Sequence, residues 1–248
     1  MGITGSVGKT TTKQFVAAAL GGEEARCVAT PGNANNEIGL PLALLNLPDG
    51  TERFVAEMGM YTMGDIRDLC AIADPRIGIV TAVDAVHAER AGSLDAIESA
   101  KGELVEALPD ARAGGVAVLN ADDERVARMA ERTRARVVTY GIESDADVVA
   151  EEIRTAGRDG TRFPLRVGRE RIAVTTRALG RHSVYQALPA AAVAREAGLT
   201  LVEIAAALAI PVGTVKSRIA RGRAQLARHL GIAPGNRDAT DRRPTEAP

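Results

Sequence analysis

The sequence predicts an α/β fold: a parallel sheet flanked by helices, with a short antiparallel extension and a helical, helix-turn-helix-like C-terminus. Two observations predict the parallel sheet. Short β-rich runs alternate with helical patterns through the first half of the chain, and a glycine-rich loop joins the first strand to the first helix. The C-terminal part is predicted from an alanine-rich helical pattern that begins after Leu179.

The elements of the first half follow one another in regular order. Runs rich in Val and Ile predict strands at 26–30, 53–58, 76–83, 115–119 and 136–140. Between them, amphipathic periodicity predicts helices near 9–20, 64–73, 93–108 and 123–133. Ser93 is expected to cap the third helix, with Asp95 in its first turn, where the helix dipole favours an acid.

The second half combines a small antiparallel region with helices. Strands at 147–153, 161–167 and 170–175 are predicted to form the antiparallel extension, and the helical pattern then continues to about Gly231. Pro189 lies inside a predicted helix at 184–198, where it costs about 3 kcal/mol or a kink. The final stretch, 232–248, is polar, has three prolines and no periodicity, and is predicted to be disordered.

Charge is distributed unevenly along a chain whose net charge is only −1. Residues 211–248 contain eight Lys or Arg and three acids, so the remainder of the chain carries −6. Cys27 and Cys70 are too few for a disulfide framework and predict free thiols in a reducing compartment. No signal peptide and no membrane span are recognised, so a cytoplasmic protein without a membrane partner is expected.

A phosphate-binding loop is the strongest local pattern. It comprises Gly5, Ser6, Val7, Gly8, Lys9, Thr10 and Thr11. Backbone N–H groups of such a P-loop and the following helix N-terminus surround phosphates, so the cofactors ATP and Mg²⁺ are predicted. Lys9 is expected at the β- and γ-phosphates and Thr10 on the metal. An ordinary Gly/Ser turn is the alternative, because Ile3 occupies the position of the first glycine of the standard motif.

Further motifs follow in the order and spacing of one known family. They are ATPGNANNEIGLP at 29–41, VAEMGM at 55–60, HAE at 87–89, AKGE at 100–103, NADD at 120–123 and GRH at 180–182. Together with the loop they resemble the Mur ligases of peptidoglycan synthesis over about residues 1–208, and most of all the type that adds D-alanyl-D-alanine to UDP-MurNAc-tripeptide. The resemblance implies that the γ-phosphate of ATP passes to a carboxylate, and that an amine attacks the resulting acyl phosphate. Such chemistry needs positioning and charge neutralisation, which metals and lysines supply.

The resemblance also implies roles for single residues. The implied catalytic residues are Lys9, His87 and Lys101. The implied Mg²⁺ ligands are Thr10, Glu57, His87 and Lys101, the last of these as a carbamate. Each has a simpler interpretation. Glu57 could be a half-exposed acid at a strand end, His87 a packed or solvated histidine, and Lys101 a solvated lysine that pairs with Glu98.

The substrate and nucleotide contacts are less sharply defined. The amides of Asn33, Asn35 and Asn36 are candidates for orienting substrate or phosphate, and Asn33 and Asn36 are the expected contacts with the peptidoglycan precursor. All three could equally be turn residues after Pro31 and Gly32. His182 is a candidate nucleotide contact. Ser183 and Gln186 stand where the family has asparagines, which predicts weaker adenine contacts.

The resemblance accounts for the central domain of a Mur ligase only. The chain begins at the P-loop, and the family domains that hold the UDP-sugar and the incoming dipeptide are not recognised in it. We therefore expect the chain to retain Mg-ATP binding at most, rather than complete ligase activity.

The C-terminal end resembles a different family. From about residue 209, the sequence is similar to region 4 of an extracytoplasmic-function sigma factor, a helix-turn-helix that reads promoter DNA. Four cations would then meet phosphates or base edges: Lys216, Arg218, Arg221 and Arg223. The segment 199–208 fits both families. The alternative is a basic amphipathic helix that packs on the nucleotide-binding part or stays frayed.

These observations define three regions and three functional hypotheses. The regions are a nucleotide-binding domain at 1–208, a sigma-like segment at 200–231 and the tail at 232–248. The first hypothesis is a nucleotide-binding domain of Mur-ligase type. The second is a transcription regulator whose partners are promoter DNA and RNA polymerase, and the third is an inactive gene-fusion chimera.

Overall fold

The computed structural model describes residues 1–21, 26–85, 93–155, 160–178 and 180–209. The chain divides into two compact units, Met1–Pro211 and Val212–Pro248. All of the second unit lies outside the described residues, as do the helical pattern predicted for 210–231 and the predicted disordered tail. All the described elements therefore belong to the first unit.

One sheet of ten strands runs through the described part of the first unit. The strands are β1 (Gly2–Thr4), β2 (Cys27–Ala29), β3 (Arg53–Glu57), β4 (Ile77–Val80), β5 (Val116–Asn120), β6 (Arg136–Gly141), β7 (Val148–Ala150), β8 (Arg154–Thr155), β9 (Thr161–Val167) and β10 (Glu170–Thr176). Their order is β10-β9-β7-β6-β5-β4-β1-β3-β2, with β8 paired to β9. All pairings from β2 to β7 are parallel, and those of β9 are antiparallel. The predicted fold class is confirmed.

Strand β7 differs from its prediction. The sequence places 147–153 in the antiparallel extension, but β7 is shorter and pairs parallel with β6 on one side and antiparallel with β9 on the other. The cause lies in the short connection before it. Asp147 Oδ2 accepts hydrogen bonds from Thr139 N at 2.8 Å and Thr139 Oγ1 at 2.9 Å, which fold the chain back so that β7 runs in the direction of β6.

Seven α-helices cover the sheet within the described residues. They are α1 (Lys9–Ala19), α2 (Gly39–Leu45), α3 (Asp65–Ala73), α4 (Leu94–Glu106), α5 (Glu124–Arg128), α6 (Arg181–Glu196) and α7 (Leu201–Leu208). Ser93 Oγ accepts from Ala96 N at 3.2 Å, which confirms the predicted cap of α4. The predicted helix at 123–133 is α-helical only in α5 and continues as the 3-10 helix Met129–Arg132. Helix α2 was not predicted.

Helix α6 passes through Pro189, which is buried. Proline removes one backbone donor, but helix packing can compensate for that loss. The residues from Ala187 to Ala194 are almost completely buried, so α6 is held by its surroundings rather than by its propensity. Among the described residues, no helix combines the length and apolar character needed to cross a membrane.

The sheet order brings three chain segments to one edge. Strand β1 lies between β3 and β4, with Ile3 opposite Glu57 and Thr4 opposite Val80. In an open parallel sheet the carboxyl ends of the strands form the crevice in which ligands bind. The loop after β1, the end of β3 and the segment after β4 therefore meet at that crevice.

Candidate functional site

The loop between β1 and α1 has a backbone that requires glycine. Gly5 has φ 144° and Gly8 has φ 87°, both in a region that L side chains rarely adopt. A Cβ atom on Gly5 would lie 1.9 Å from Thr81 Oγ1. That hydroxyl donates to Val7 O at 2.5 Å, so the loop packs directly against the segment after β4.

Helix α1 begins with open backbone donors. Its N-cap residue is Gly8, no side chain caps the helix, and its first turn contains no acid. The first N–H groups of a helix have no partner within the helix and carry the positive end of its dipole. An anion such as a phosphate group fits this position.

Lys9 lies across the loop. Its Nζ donates to Gly5 O at 2.6 Å. Burial lowers the pKa of Lys9, while the negative charge of Glu57 opposes that shift. The ammonium group is thus held next to the open donors, and it has two further N–H groups beside the one that contacts Gly5 O.

Glu57 ends β3 and is almost completely buried, with 2% of the residue exposed. Its Oε1 accepts hydrogen bonds from Thr10 Oγ1 and from Asn35 Nδ2, both at 3.1 Å. Its Oε2 lies 2.9 Å from Lys13 Nζ. The interpretation of Glu57 as a half-exposed acid is therefore wrong, because the fold above the strand end encloses the carboxylate.

The spacing of Thr10 and Glu57 fits a magnesium ion. Thr10 Oγ1 and Glu57 Oε1 are 3.1 Å apart, close to the roughly 3 Å that separates neighbouring oxygen ligands of an octahedral Mg²⁺ with bonds of about 2.1 Å. Oε2 of Glu57 is buried and has no hydrogen-bond donor among the described residues, since its contact with Lys13 is an ion pair without hydrogen-bond geometry. Among those residues no group of three or more His, Cys, Asp or Glu converges on a metal position, so the fit rests on Thr10 and Glu57.

A cleft of about 350 Å³ opens beside these groups. Its lining comprises Ser6, Val7, Gly8, Lys9, Thr10, Thr11, Asn33, Asn35, Glu57 and Gln186. Gln186 comes from α6, and its Cγ would be 3.7 Å from a Cβ on Gly8. Its side-chain amide therefore lies beside the loop.

Lys101 lies on the buried face of α4, with 5% of the residue exposed. Burial, assisted by the positive charge of Lys9, lowers its pKa to about 8. Glu98, the partner expected for a solvated lysine, instead binds Arg125 and Arg128. The solvated interpretation of Lys101 is therefore wrong, and a neutral amine is accessible close to physiological pH.

The remaining predicted site residues are scattered. Asn33 is exposed at the rim of the cleft, and His182 is exposed in the first turn of α6. Asn36 Oδ1 accepts from Gly39 N at 2.8 Å and so orders the start of α2, which supports its interpretation as a turn residue. Outside the described residues lie His87 and the four C-terminal cations Lys216, Arg218, Arg221 and Arg223.

The sequence-based prediction missed one functional candidate and did not single out another. Lys13 lies three residues after Thr10, on the same face of α1, and that spacing was a usable signal. Asn35 was grouped with its neighbours, but it is the member of the asparagine cluster whose amide reaches Glu57. No sequence signal distinguishes it from Asn33.

The NADD motif has a supporting role. Asp122 accepts from the backbone N–H groups of Ile142, Glu143 and Ser144 and from Tyr185 Oη at 2.8 Å. Burial alone would raise the pKa of Asp122, but these hydrogen bonds outweigh it and hold the pKa below its usual value. Asp123 caps α5 and also accepts from Val83 N at 2.8 Å, which fixes the segment after β4.

Comparison with known proteins identifies two family matches. The family model for the Mur ligase middle domain matches residues 3–194. A second model, for region 4 of sigma-70, matches residues 193–226.

Individual relatives agree with the first match. UDP-N-acetylmuramoyl-tripeptide–D-alanyl-D-alanine ligase from Mycobacterium tuberculosis is 41% identical over 210 residues, which cover 84% of this chain and 40% of the relative. The Escherichia coli enzyme of the same name is 34% identical over 209 residues, covering 84% of this chain and 45% of the relative. This chain thus spans less than half the length of these relatives.

Solved structures agree as well. MurF from Acinetobacter baumannii superimposes with a TM-score of 0.77 at 29% identity, covering 85% of this chain and 45% of that one. MurF from Thermotoga maritima in complex with ADP gives a TM-score of 0.73 at 29% identity, with coverages of 82% and 47%. With a family model that matches most of its residues and this structural likeness, the chain belongs to the Mur ligase family.

Proposed function

We propose that this chain binds Mg-ATP as the nucleotide-binding module of an ATP-dependent amide ligase of peptidoglycan synthesis. The observation that carries the proposal is the meeting of the uncapped α1 N-terminus, Lys9, Thr10 and Glu57 in one cleft. Backbone donors for phosphate lie there beside a buried carboxylate and a hydroxyl at the spacing of neighbouring Mg²⁺ ligands.

The module has one main task, which is to hold two anions together. Transfer of the γ-phosphate of ATP to a carboxylate brings together groups that repel each other. Near the cleft, Lys9 and Lys13 carry positive charge and Glu57 carries negative charge, and Mg²⁺ would add two further positive charges. This excess of positive charge favours a bound triphosphate and stabilises charge that develops during transfer.

Thr10, Glu57, His87 and Lys101 are the proposed ligands of Mg²⁺. Lys101 would serve as a carbamate, which converts a cation into an anionic ligand and needs a neutral amine. Its deep position on α4 and its lowered pKa support that role. We expect NMR to detect incorporation of ¹³C from labelled bicarbonate into the wild-type protein and no incorporation into Lys101→Arg.

The proposed substrates follow from the relatives. Those relatives carry the name of a ligase that joins D-alanyl-D-alanine to a UDP-N-acetylmuramoyl-tripeptide, and we extend these substrates to the reaction in which this module takes part. Asn33, at the rim of the cleft, is the proposed contact with the precursor, and His182 is a proposed contact with the nucleotide. The reaction is assigned to the cytoplasm, where both ATP and the precursor occur.

Nucleotide binding by the full chain tests the proposal. Calorimetry should detect ATP binding that depends on Mg²⁺ and is lost in Lys9→Ala. Arg169→Ala, which removes one positive charge from an exposed turn, is the matched control and should bind like the wild type. Absence of binding by the wild type at millimolar ATP and Mg²⁺ would overturn the proposal.

Promoter DNA binding is a second candidate function. The sigma-70 region 4 match at 193–226 favours it, together with the cations at 216, 218, 221 and 223. One observation weighs against it. The apolar face of α7 is buried in the first unit and consists of Leu201, Ile204 and Leu208. The helix that a helix-turn-helix would need is therefore already packed elsewhere.

Salt-dependent binding to promoter duplexes, measured by fluorescence anisotropy, tests this candidate. A partnership with RNA polymerase would require such binding first. Weakening of the affinity in Arg218→Ala would support it, and equal affinity for unrelated duplexes would contradict it. A chain that binds neither ATP nor DNA would be the inactive fusion.

A further inference from the structure

Lys13 is a buried lysine that is neither a proposed Mg²⁺ ligand nor one of the residues that line the cleft. It lies on α1, one turn after Lys9, and only 3% of the residue is exposed. A buried ammonium group costs free energy unless it is paired and hydrogen bonded. Its position therefore needs an explanation from its contacts.

The ammonium group has two partners. Lys13 Nζ lies 2.9 Å from Glu57 Oε2 and donates to Gly32 O at 2.9 Å. The side chains of Lys13 and Glu57 are 4% and 3% exposed, so solvent screens their attraction little. The pair is an internal feature of the site rather than a surface ion pair.

The two oxygens of Glu57 are used differently. Oε1 is beside Thr10 Oγ1, the other metal ligand proposed within this part of the site, and also accepts from Asn35. Oε2 faces Lys13 and has no other donor among the described residues. Lys13 thus compensates the charge of the carboxylate from the side away from Thr10, and holds the carboxylate so that Oε1 faces Thr10.

We propose that Lys13 is a positioning residue for Glu57. Its ammonium group acts as the resident counter-cation of the carboxylate, and its positive charge opposes the binding of Mg²⁺ there. The inference rests on the proposed Mg-ATP site. A divalent cation at Glu57 places two positive charges within a few Å of the Lys13 ammonium, in surroundings where such repulsion is strong. Lys13 therefore lowers the metal affinity of the site and stabilises the site when the metal is absent.

The test compares four variants of the full chain: Lys13→Met, Lys13→Arg, Glu57→Gln and the double variant Lys13→Met/Glu57→Gln. ADP affinity is measured by calorimetry at a series of Mg²⁺ concentrations, which yields the Mg²⁺ concentration at half-maximal effect. In Lys13→Met that concentration should fall by on the order of tenfold, because the competing charge is gone. Lys13→Arg keeps the charge and should stay close to the wild type.

Thermal unfolding without nucleotide provides a second readout. Lys13→Met leaves Glu57 buried without a counter-charge, so its midpoint should fall in metal-free buffer and recover when Mg²⁺ alone is added. The double variant removes both charges, and its midpoint should be higher than that of Lys13→Met and insensitive to Mg²⁺. A purely structural lysine would not produce this recovery.

Several results would overturn the inference. An unchanged or higher half-maximal Mg²⁺ concentration in Lys13→Met would do so, as would a Lys13→Met protein that stays unfolded at high Mg²⁺. A failure of the proposed Mg-ATP site looks different. In that case ADP affinity of the wild type is independent of Mg²⁺ and unaffected by Glu57→Gln, and both proposals fall together.

Discussion

Glu57 brings together groups from separate segments of the chain. Its carboxylate contacts Thr10 and Lys13 of α1 and Asn35 of the loop after β2, while its backbone N–H donates to Thr30 Oγ1 at 3.1 Å. A carboxylate held in this way has a fixed direction, which is what a metal ligand needs in order to select geometry. The proposed site therefore depends on the positioning of one side chain at the end of β3.

Gly5→Ala should disrupt the phosphate loop. The new Cβ would lie 1.9 Å from Thr81 Oγ1 at a φ of 144°, so the loop must shift. We expect a loss of about 2 kcal/mol or more in the free energy of unfolding, measured with urea, and a weaker ATP affinity.

Gly168→Ala is the matched control for that prediction. Gly168 also has a positive φ, 58°, but apart from Gly168 and its two chain neighbours no atom of the described residues lies within 4 Å of the position that a Cβ would take there. Only backbone strain of about 1 kcal/mol is expected, with unchanged ATP affinity. Equal effects of the two substitutions would contradict the account of the loop.

At the level of elements, α6 is joined to the sheet through Asp122. The carboxylate follows β5, accepts from the backbone after β6 and binds Tyr185 of α6. Gln186, the next residue along α6, lines the cleft. The motif NADD thus positions a helix that borders the cleft, although Asp122 itself is not among the residues that line it.

Asp122→Asn should change how stability depends on pH. The pKa of Asp122 is lower in the folded chain than its ordinary value of 3.8, so its stabilising effect is present above about pH 3.8 and is lost as the pH falls through the folded pKa. We expect Asp122→Asn to cost about 1 to 2 kcal/mol at pH 7 and progressively less below pH 4, measured by urea unfolding at each pH.

Tyr185→Phe separates the contributions to this effect. It removes one of the hydrogen bonds to Asp122 and leaves the three backbone donors in place. It should therefore cost less than Asp122→Asn and keep most of the pH dependence. A difference between Asp122→Asn and the wild type that stays constant from pH 7 to pH 3 would contradict the assigned role.

The elements that the sequence predicted well are those whose patterns are local. Strands β3 to β6 and helices α1, α3 and α4 have apolar periodicities that face the core, and their positions agree with prediction to within a few residues. Helix α2 escaped prediction because Ile38, Leu42 and Leu45 face solvent, so its pattern is not that of a core-facing helix. The direction of β7 depends on Asp147 and Thr139, a contact that periodicity does not contain.

In the site, as in the fold, the sequence predicts the features that depend on local residues. The loop from Gly5 to Thr11 is contiguous, and its conformation follows from its residues. The burial of Glu57 and its pairing with Lys13 arise because β1 and β3 are neighbours in the sheet, which brings α1 and the end of β3 together. Contacts of this kind require the tertiary structure.

At the scale of the whole molecule, the first unit accounts for the Mur ligase match. Residues 3–194 match the middle domain, and the first compact unit extends to Pro211. The sigma-70 match begins at residue 193, so it includes α7, whose apolar face is buried in this unit. The helix within the first part of the sigma-70 match thus packs as part of the first unit.

A chain that ends at Pro211 should therefore fold and bind Mg-ATP with the affinity of the full chain, because the first unit contains all the described cleft residues. Circular dichroism and calorimetry check both parts of this prediction. A further chain that ends at Leu199 is the comparison, since loss of α7 exposes the apolar surface that it covers and should lower the unfolding midpoint. An unfolded or non-binding 1–211 chain would show that the second unit is needed.

The position of a bound metal ion would show whether Thr10 and Glu57 form the proposed Mg²⁺ site. Crystals of the full chain grown with ADP and Mn²⁺ in place of Mg²⁺ would reveal the metal by its anomalous scattering. We expect a peak in contact with Thr10 Oγ1 and the Glu57 carboxylate, with the terminal phosphate of ADP at the N-terminus of α1. A metal bound away from Glu57, or a nucleotide bound outside the loop at Gly5 to Thr11, would contradict it.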